Sequence, residues 1–339
     1  MKKKLLIVLL FVVLIAVPVF AGGQKEATTE NVGTSSEATK TVAIVLGVGG
    51  LGDESFNDNC YNSLVEAQEK YGIEFDYVEP QSVSEFESFH REFSQSHEYD
   101  LIMASGYDQA DAISKVATEF PDQKFLLIDS SVDNSNVVSI IYKDNESTFL
   151  AGALAALDTN TGKVGMLGAL DIDVINTFIA GFKAGATEIN PSIDVDIRYC
   201  GSFNDPVTAK EMSLSMYKSG VDIIHNAAGG SGLGIFQASA DFGDGAYAMG
   251  VDANQNGVKP DHIILSSVRN TPAVILAQIK ALVNDEFVGG VHYVGLADDA
   301  VDITYDGSNV VVPQEYKDQV EELKAKIISG EIKVPSKLN

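Results

Sequence analysis

Residues 42–58 read VAIVLGVGGLGDESFND. The apolar run Val42–Leu46 predicts a buried strand, and it opens into a glycine-rich loop from Gly47 to Gly52. Asp53, Ser55 or Asp58 can then cap a helix carrying Asn62, Leu64, Val65 and Ala67. Strand, glycine loop and helix N-terminus together form a place where α/β proteins hold ligands.

Working outward, strand-like and helix-like runs alternate. Ile73–Val78, Leu101–Ala104, Lys124–Ile128 and Val137–Tyr142 predict strands, while Val83–Ser96 and Ala110–Glu119 predict helices. The pattern restarts at a small-residue helix, Thr148–Leu157. Strands follow at Lys163–Leu167, Asp194–Tyr199, Ile223–Ala227 and Ala246–Val251, with helices at Val174–Glu188, Ala209–Ser219 and through Phe236 and Ala240. Repeated βα units imply parallel sheets covered on both faces, here in two similar lobes. The helix Pro272–Asn284 and a strand near Val301–Tyr305 have no third domain to build and are expected to cross back between the lobes. The expected lobes are residues 41–145 with 271–300, and 146–270 with 301–339.

Polar and aromatic residues collect just after the strands: Asp53, Phe56, Tyr107, Asp129, Phe203, Gly229 and Asp252. Ligands of open parallel sheets bind at the carboxyl ends of strands. A lone Asp there is better read as a helix cap or turn residue. Seven such residues at matching positions in both lobes point to a shared cleft. Ser-Phe-Asn-Asp occurs twice, at 55–58 and 202–205, and puts a phenylalanine into each of two polar loops. Each ring either plugs its own lobe or stacks on one face of a flat ligand. In the second case Asp129 and Asp252 would accept hydrogen bonds from ligand N–H and O–H groups.

The chain of 339 residues carries a formal charge of −25. It opens Met1-Lys2-Lys3-Lys4, runs apolar from Leu5 to Phe20 and reaches Val19-Phe20-Ala21. This is the pattern of a secretory leader cut after Ala21, shorter than the ~20 residues a membrane-spanning helix needs. Residues 22–40, rich in Gly, Ser, Thr and Glu, read as a flexible tether. Loss of three leader lysines takes the charge to −28, which disfavours nucleic acid and anionic lipid as partners. Cys60 and Cys200 make neither a disulfide framework nor a zinc pattern. A bridge between them would lock the lobes, so two buried free thiols are expected. Five scattered histidines give no metal-ligand spacing, and no metal is expected.

Gly47, Gly49 and Gly52 satisfy G-x-G-x-x-G, with Asp76 or Glu79 near the next strand's end. That is the fingerprint of a dinucleotide enzyme. Against it, Asp53-Glu54 puts two negative charges where a pyrophosphate should meet the helix. The second glycine cluster, Gly229, Gly230, Gly232 and Gly234, lacks the Lys-Ser/Thr ending of a P-loop, and no G-x-S-x-G marks a hydrolase elbow. No catalytic residue or cofactor is therefore assigned. The rival classes are a ligand-sensing receptor on the same scaffold and an exported nucleotide-dependent enzyme using Gly47–Gly52.

Several segments together carry a family resemblance: GLGDESFND (50–58), the strand end at Asp129, FLAGALAAL (149–157) and KVGMLGALDIDVINTFIAGFKAGA (163–186). They continue with GSFNDP (201–206), AAGGSGLGIF (227–236), GVDANQ (250–255) and SGEIKVP (329–335). In these segments the chain resembles the basic membrane protein (BMP) family of ABC-transporter substrate-binding proteins, the PnrA-like purine nucleoside receptors. The resemblance implies a type I periplasmic-binding-protein fold, two Rossmann-like lobes joined by three crossovers with the ligand between them. It implies that Phe56 and Phe203 stack on a purine, that Asp129 reads the base, that Asn57 sits in the same loop motif as Phe56, and that Gly229, Gly230 and Asp252 meet the ribose. The family's T-S-x-x-K lysine also reaches the ribose. Here Ser266-Ser267-Val268-Arg269-Asn270 puts Asn270 at that position and Arg269 one place early. The implied partners are a purine nucleoside and an ABC permease, with the protein expected to be an exported monomer. The family's lipid-bearing cysteine is missing near the leader.

Overall fold

The computed structural model describes residues 39–338. The expected leader, and the tether up to residue 38, lie outside the described residues. The first strand, β1 (Thr41–Val45), is followed by α1 (Phe56–Tyr71), β2 (Glu74–Val78), α2 (Phe86–Ser96), β3 (Leu101–Ser105), α3 (Ala110–Glu119), β4 (Lys124–Ile128) and β5 (Val137–Tyr142). The second half runs α4 (Asp144–Asp158), β6 (Lys163–Gly168), α5 (Asp173–Ile189), β7 (Asp194–Tyr199), α6 (Pro206–Lys218), β8 (Ile223–Ala227), α7 (Leu233–Phe242), β9 (Tyr247–Asp252) and β10 (Ile263–Arg269). The last elements are α8 (Thr271–Val283), β11 (Gly290–Val294), β12 (Val301–Thr304) and α9 (Gln314–Ile328).

Two six-stranded sheets result, in the orders β11-β5-β4-β3-β1-β2 and β12-β10-β9-β8-β6-β7. Every pairing is parallel except that of β12 with β10. The chain passes between the sheets three times: after β5, after β10, and between β11 and β12. This is the type I periplasmic-binding arrangement. Alternation along β1 shows why both faces are covered. Val42 and Ile44 join the core containing Leu64 of α1 and Ile275 of α8, whereas Ala43 packs with Ile113 and Val116 of α3.

The sequence reading missed β11 and α9. β11 is a short edge strand whose middle residues are exposed, so it carries no apolar run to detect. The repeated Ser-Phe-Asn-Asp is also no mark of lobe symmetry. By strand order β1 corresponds to β6 and β2 to β7, yet Phe56 follows β1 while Phe203 follows β7. Asp129 and Asp252, ending β4 and β9, do occupy matching positions.

The tightest helix contact joins α4 to α5. A methyl at Gly185 would strike the Phe149 carbonyl, and one at Gly152 would strike that of Phe182. Thr148 Oγ1 donates to the Phe178 carbonyl at 2.9 Å across the same contact. Gly185→Ala is therefore expected to lower unfolding free energy by about 1–3 kcal/mol. Gly257→Ala, where an added methyl meets nothing within 4 Å, should change it by less than about 0.5 kcal/mol. Urea denaturation of the two variants measures this directly.

Both cysteines are free, but only Cys60 is buried; Cys200 is half-exposed, and its Sγ donates to the Ser202 carbonyl at 3.2 Å. Burial pushes the Cys60 thiol up to about 12. A thiol reagent should label one cysteine, Cys200, in the native protein and a second only after denaturation. Two fast-reacting thiols in the native state would contradict the packing of α1.

Candidate functional site

The carboxyl ends of the strands in both sheets meet around one cavity of about 190 Å³. That is below the roughly 300–1,000 Å³ of pockets for drug-sized ligands, so the occupant must be compact. Asp53, Phe56, Asn57, Tyr107, Asp129, Phe203, Gly229, Gly230 and Asp252 line it. Asn270 does not. Its side chain turns outward and donates to the Asp299 carbonyl at 3.2 Å. The neighbouring Arg269 points into the cavity instead. The swap follows from the strand: β10 ends at Arg269, and successive side chains of a strand point to opposite sides.

The lobes touch across the cavity. Ser55 Oγ donates to Asp252 Oδ2 at 3.0 Å, Asn59 Nδ2 to the Asp252 carbonyl at 3.1 Å, and Gln255 Nε2 to the Glu54 carbonyl at 3.0 Å. Gly230 lies at this approach, where a Cβ would make an ordinary contact 3.5 Å from Asp53 Cβ. Asp129 and Asp252 both hold left-handed backbone, at φ 69° and 61°. Such strain in non-glycine residues collects at functional sites, and here it sits at matching strand ends of both sheets.

Some of the lining residues serve the scaffold first. Asp53 accepts the amides of Ser55 (2.9 Å), Asn57 (2.9 Å) and Asp58 (3.2 Å), so it caps α1. Burial raises the Asp53 carboxyl above its ordinary value, against those three donors. Asn57 Oδ1 accepts the Gly47 amide at 2.9 Å and steadies the glycine loop. Glu79, which could have been the ribose acid of a dinucleotide enzyme, accepts the Leu51 amide at 2.9 Å in that same loop. The helix terminus a pyrophosphate would need is thus already filled by a carboxylate.

The electrostatic centre is Arg269, whose side chain is only 3% exposed. It donates to both oxygens of Asp144 at 2.7 Å and to Asp129 Oδ2 at 2.9 Å, and Nε lies 3.3 Å from Asp252 Oδ1. Tyr142, Phe178 and Phe56 surround the guanidinium, with ring centroids 4.7, 5.2 and 5.5 Å away. Burial pushes the Asp129 carboxyl up to about 6, with Arg269 opposing and Asp144 adding to the rise. Burial also raises Asp252, again against Arg269. Asp252 Oδ1 is buried and receives no hydrogen bond from the described residues. Sequence reading noted Arg269 but gave it no role. It missed Asp144, which falls between the expected strand Val137–Tyr142 and a helix expected to begin only at Thr148, whereas α4 begins at Asp144. Among the described residues no three His, Cys, Asp or Glu side chains gather to hold a metal, and no helix is long and apolar enough to cross a membrane.

Residues 40–337 match the family described as Bmp, ABC transporter substrate-binding protein PnrA-like. The chain is 32% identical to the ABC transporter nucleoside-binding protein BmpA of Lactococcus lactis, over 99% of this chain and all of that one. It is also 32% identical to basic membrane protein A of Borreliella burgdorferi, covering 89% of each chain. The crystal structure of an ABC transporter solute-binding protein from Aeropyrum pernix superposes with a TM-score of 0.80 at 29% identity, covering 87% of this chain and 94% of that one. By its fold, its interlobe cavity and its sequence, this chain belongs to the PnrA-like Bmp family of ABC-transporter substrate-binding proteins, a family of binders rather than enzymes.

Proposed function

We propose that this protein captures a purine nucleoside between its lobes and delivers it to an ABC permease. One observation carries the reading: a single cavity joins an aromatic ring from each lobe, Phe56 and Phe203, to a buried carboxylate oxygen, Asp252 Oδ1, that accepts no hydrogen bond. Two rings suit a flat base. Arg269 Nε, 3.3 Å away, balances the charge of that oxygen without hydrogen-bonding it, and a ligand donor would complete it. Asp129 would accept from the base and Asp252 from ribose hydroxyls. The nucleoside-binding name of the Lactococcus relative supports the same class.

A nucleoside fits better than a nucleotide. Asp53, Asp108, Asp129 and Asp252 line the cavity against one cation, Arg269. A phosphate placed there would face an excess of negative charge at low dielectric. In this reading the protein works as an exported monomer, cut after Ala21 and carrying no lipid. Residues 41–145 with 271–300 close as one lobe upon 146–270 with 301–339.

Inosine, guanosine or adenosine should raise the melting temperature, equivalent to roughly 2.7 kcal/mol at a hundredfold excess over the dissociation constant. The 5′-monophosphates should give little shift. A shift with a sugar or amino acid and none with any nucleoside would overturn the assignment. Phe203→Ala should weaken nucleoside binding by roughly 1–3 kcal/mol, the worth of one stacked base, with a smaller effect on the unliganded protein. Calorimetry on Asp252→Asn gives the ribose half: nucleosides should weaken more than free bases.

A further inference from the structure

Arg269 joins three places that the chain otherwise keeps apart. Asp144 is the first residue of α4, at the first crossing between lobes. Asp129 directly follows β4 of one sheet and Asp252 ends β9 of the other. One planar guanidinium touches all three carboxylates, and its five N–H groups leave a fixed fork with two donors unassigned. The paired carboxylates keep different atoms free. Asp129 gives Oδ2 to Arg269, and Asp252 gives Oδ2 to Ser55. The Oδ1 atom of each is left without a hydrogen bond from the described residues.

We propose that Arg269 is a positioning residue which, anchored at the crossover by Asp144, orients Asp129 and Asp252 so that each lobe offers the ligand one carboxylate oxygen. This rests on the nucleoside reading and deepens it. The site takes a ligand that donates hydrogen bonds at two points, one to each lobe. Three of the five N–H groups of Arg269 are spent on the protein, and the role proposed for it is the aim of its two neighbours.

The charge balance makes this readable. Asp129 is faced by Arg269 from β10, Asp144 from α4 and Asp252 from β9, with the thiol of Cys60 from α1 and the hydroxyl of Tyr142 from β5 nearby and Asp53 beyond Asp252. Burial keeps that thiol and hydroxyl neutral in the acid range, so the balance lies among the carboxylates and the guanidinium. An Asp129 that must accept a ligand hydrogen needs to be ionised. Affinity should therefore be full above Asp129's value of about 6 and fall as pH drops through it.

The test measures inosine affinity from pH 4.5 to 8 by calorimetry for the wild type, Arg269→Lys and Asp144→Asn. In parallel, the Asp129 carboxyl is titrated by carbon NMR in the unliganded proteins, assigned with Asp129→Asn. Asp144→Asn keeps Arg269 but removes a charge that raises Asp129, so the acid limb and the NMR midpoint should both move to lower pH. Arg269→Lys loses the fork. It should weaken binding roughly 10- to 100-fold at pH 8, the worth of one charged hydrogen bond, and move the acid limb upward. Superimposable pH profiles in the wild type and Asp144→Asn would overturn the inference even where overall affinity differs. If the wild type binds no nucleoside at any pH, the nucleoside reading fails. The NMR midpoints then decide the inference: a downward shift in Asp144→Asn supports it, and an unmoved midpoint overturns it. Should Arg269→Lys fail to fold, the Asp144→Asn comparison stands alone.

Discussion

One guanidinium set among three carboxylates holds the centre of this molecule. Burying an arginine costs several kcal/mol unless its partners are close and well directed. Here the partners come from a crossover and from both sheets, at 2.7 to 3.3 Å. The arrangement requires closed lobes, a β10 that ends with its last side chain facing inward, and strands β4 and β9 that end in left-handed aspartates. The cavity's size, its negative balance and its orientation of acceptors all follow from that cluster. Replacing Arg269 by an apolar residue would leave three buried carboxylates without a cation, a larger penalty than the loss of any single contact.

The fold was legible because its signals are local. Apolar runs of about five residues, several ending in Gly, Ser or Asp, gave most of the parallel strands, and restarting the pattern gave the second lobe. The glycine loop, both phenylalanines and the strand-end aspartates were readable because polar and aromatic residues after buried strands have few structural uses. Other roles depend on geometry that no local pattern encodes. Asp53 reads equally well as ligand or cap, and only its three accepted amides give it the cap. Asn270 and Arg269 are adjacent, and which one faces inward depends on where β10 ends. Asp144 shows no sign of function in its own segment, since its partner lies 125 residues away. The repeated Ser-Phe-Asn-Asp suggested lobe symmetry, but the two copies sit on non-equivalent connections.

Membership of a family of binders has a physical counterpart in the cavity. Asp53, Asp129, Asp252 and Arg269 are engaged with each other, with Ser55 or with backbone amides, and the Oδ1 atoms that Asp129 and Asp252 leave over are acceptors. Such a site can hold a donor-rich molecule firmly without offering an activated nucleophile. In the proposed reading, its discrimination would come from the fixed direction of two carboxylates and the spacing of two rings.

The order of the strands has a consequence for how the chain is made. The first sheet is not finished by its own first half. Its edge strand β11 pairs with β5, yet Tyr293, opposite Ile141, lies 152 positions further along the chain, beyond nearly all of the second sheet. During synthesis at about 5–20 residues per second, β5 therefore waits on the order of 10–30 s with an open edge. All the strands β6–β10 of the second sheet emerge in that interval, so the sheet begun first is completed last but for β12. Neither lobe is a continuous piece of chain. A nascent or truncated protein ending before residue 290 would expose a parallel edge ready to pair with another copy. Only once residue 294 has emerged is the β5 edge covered, and what then remains outermost is the short β11.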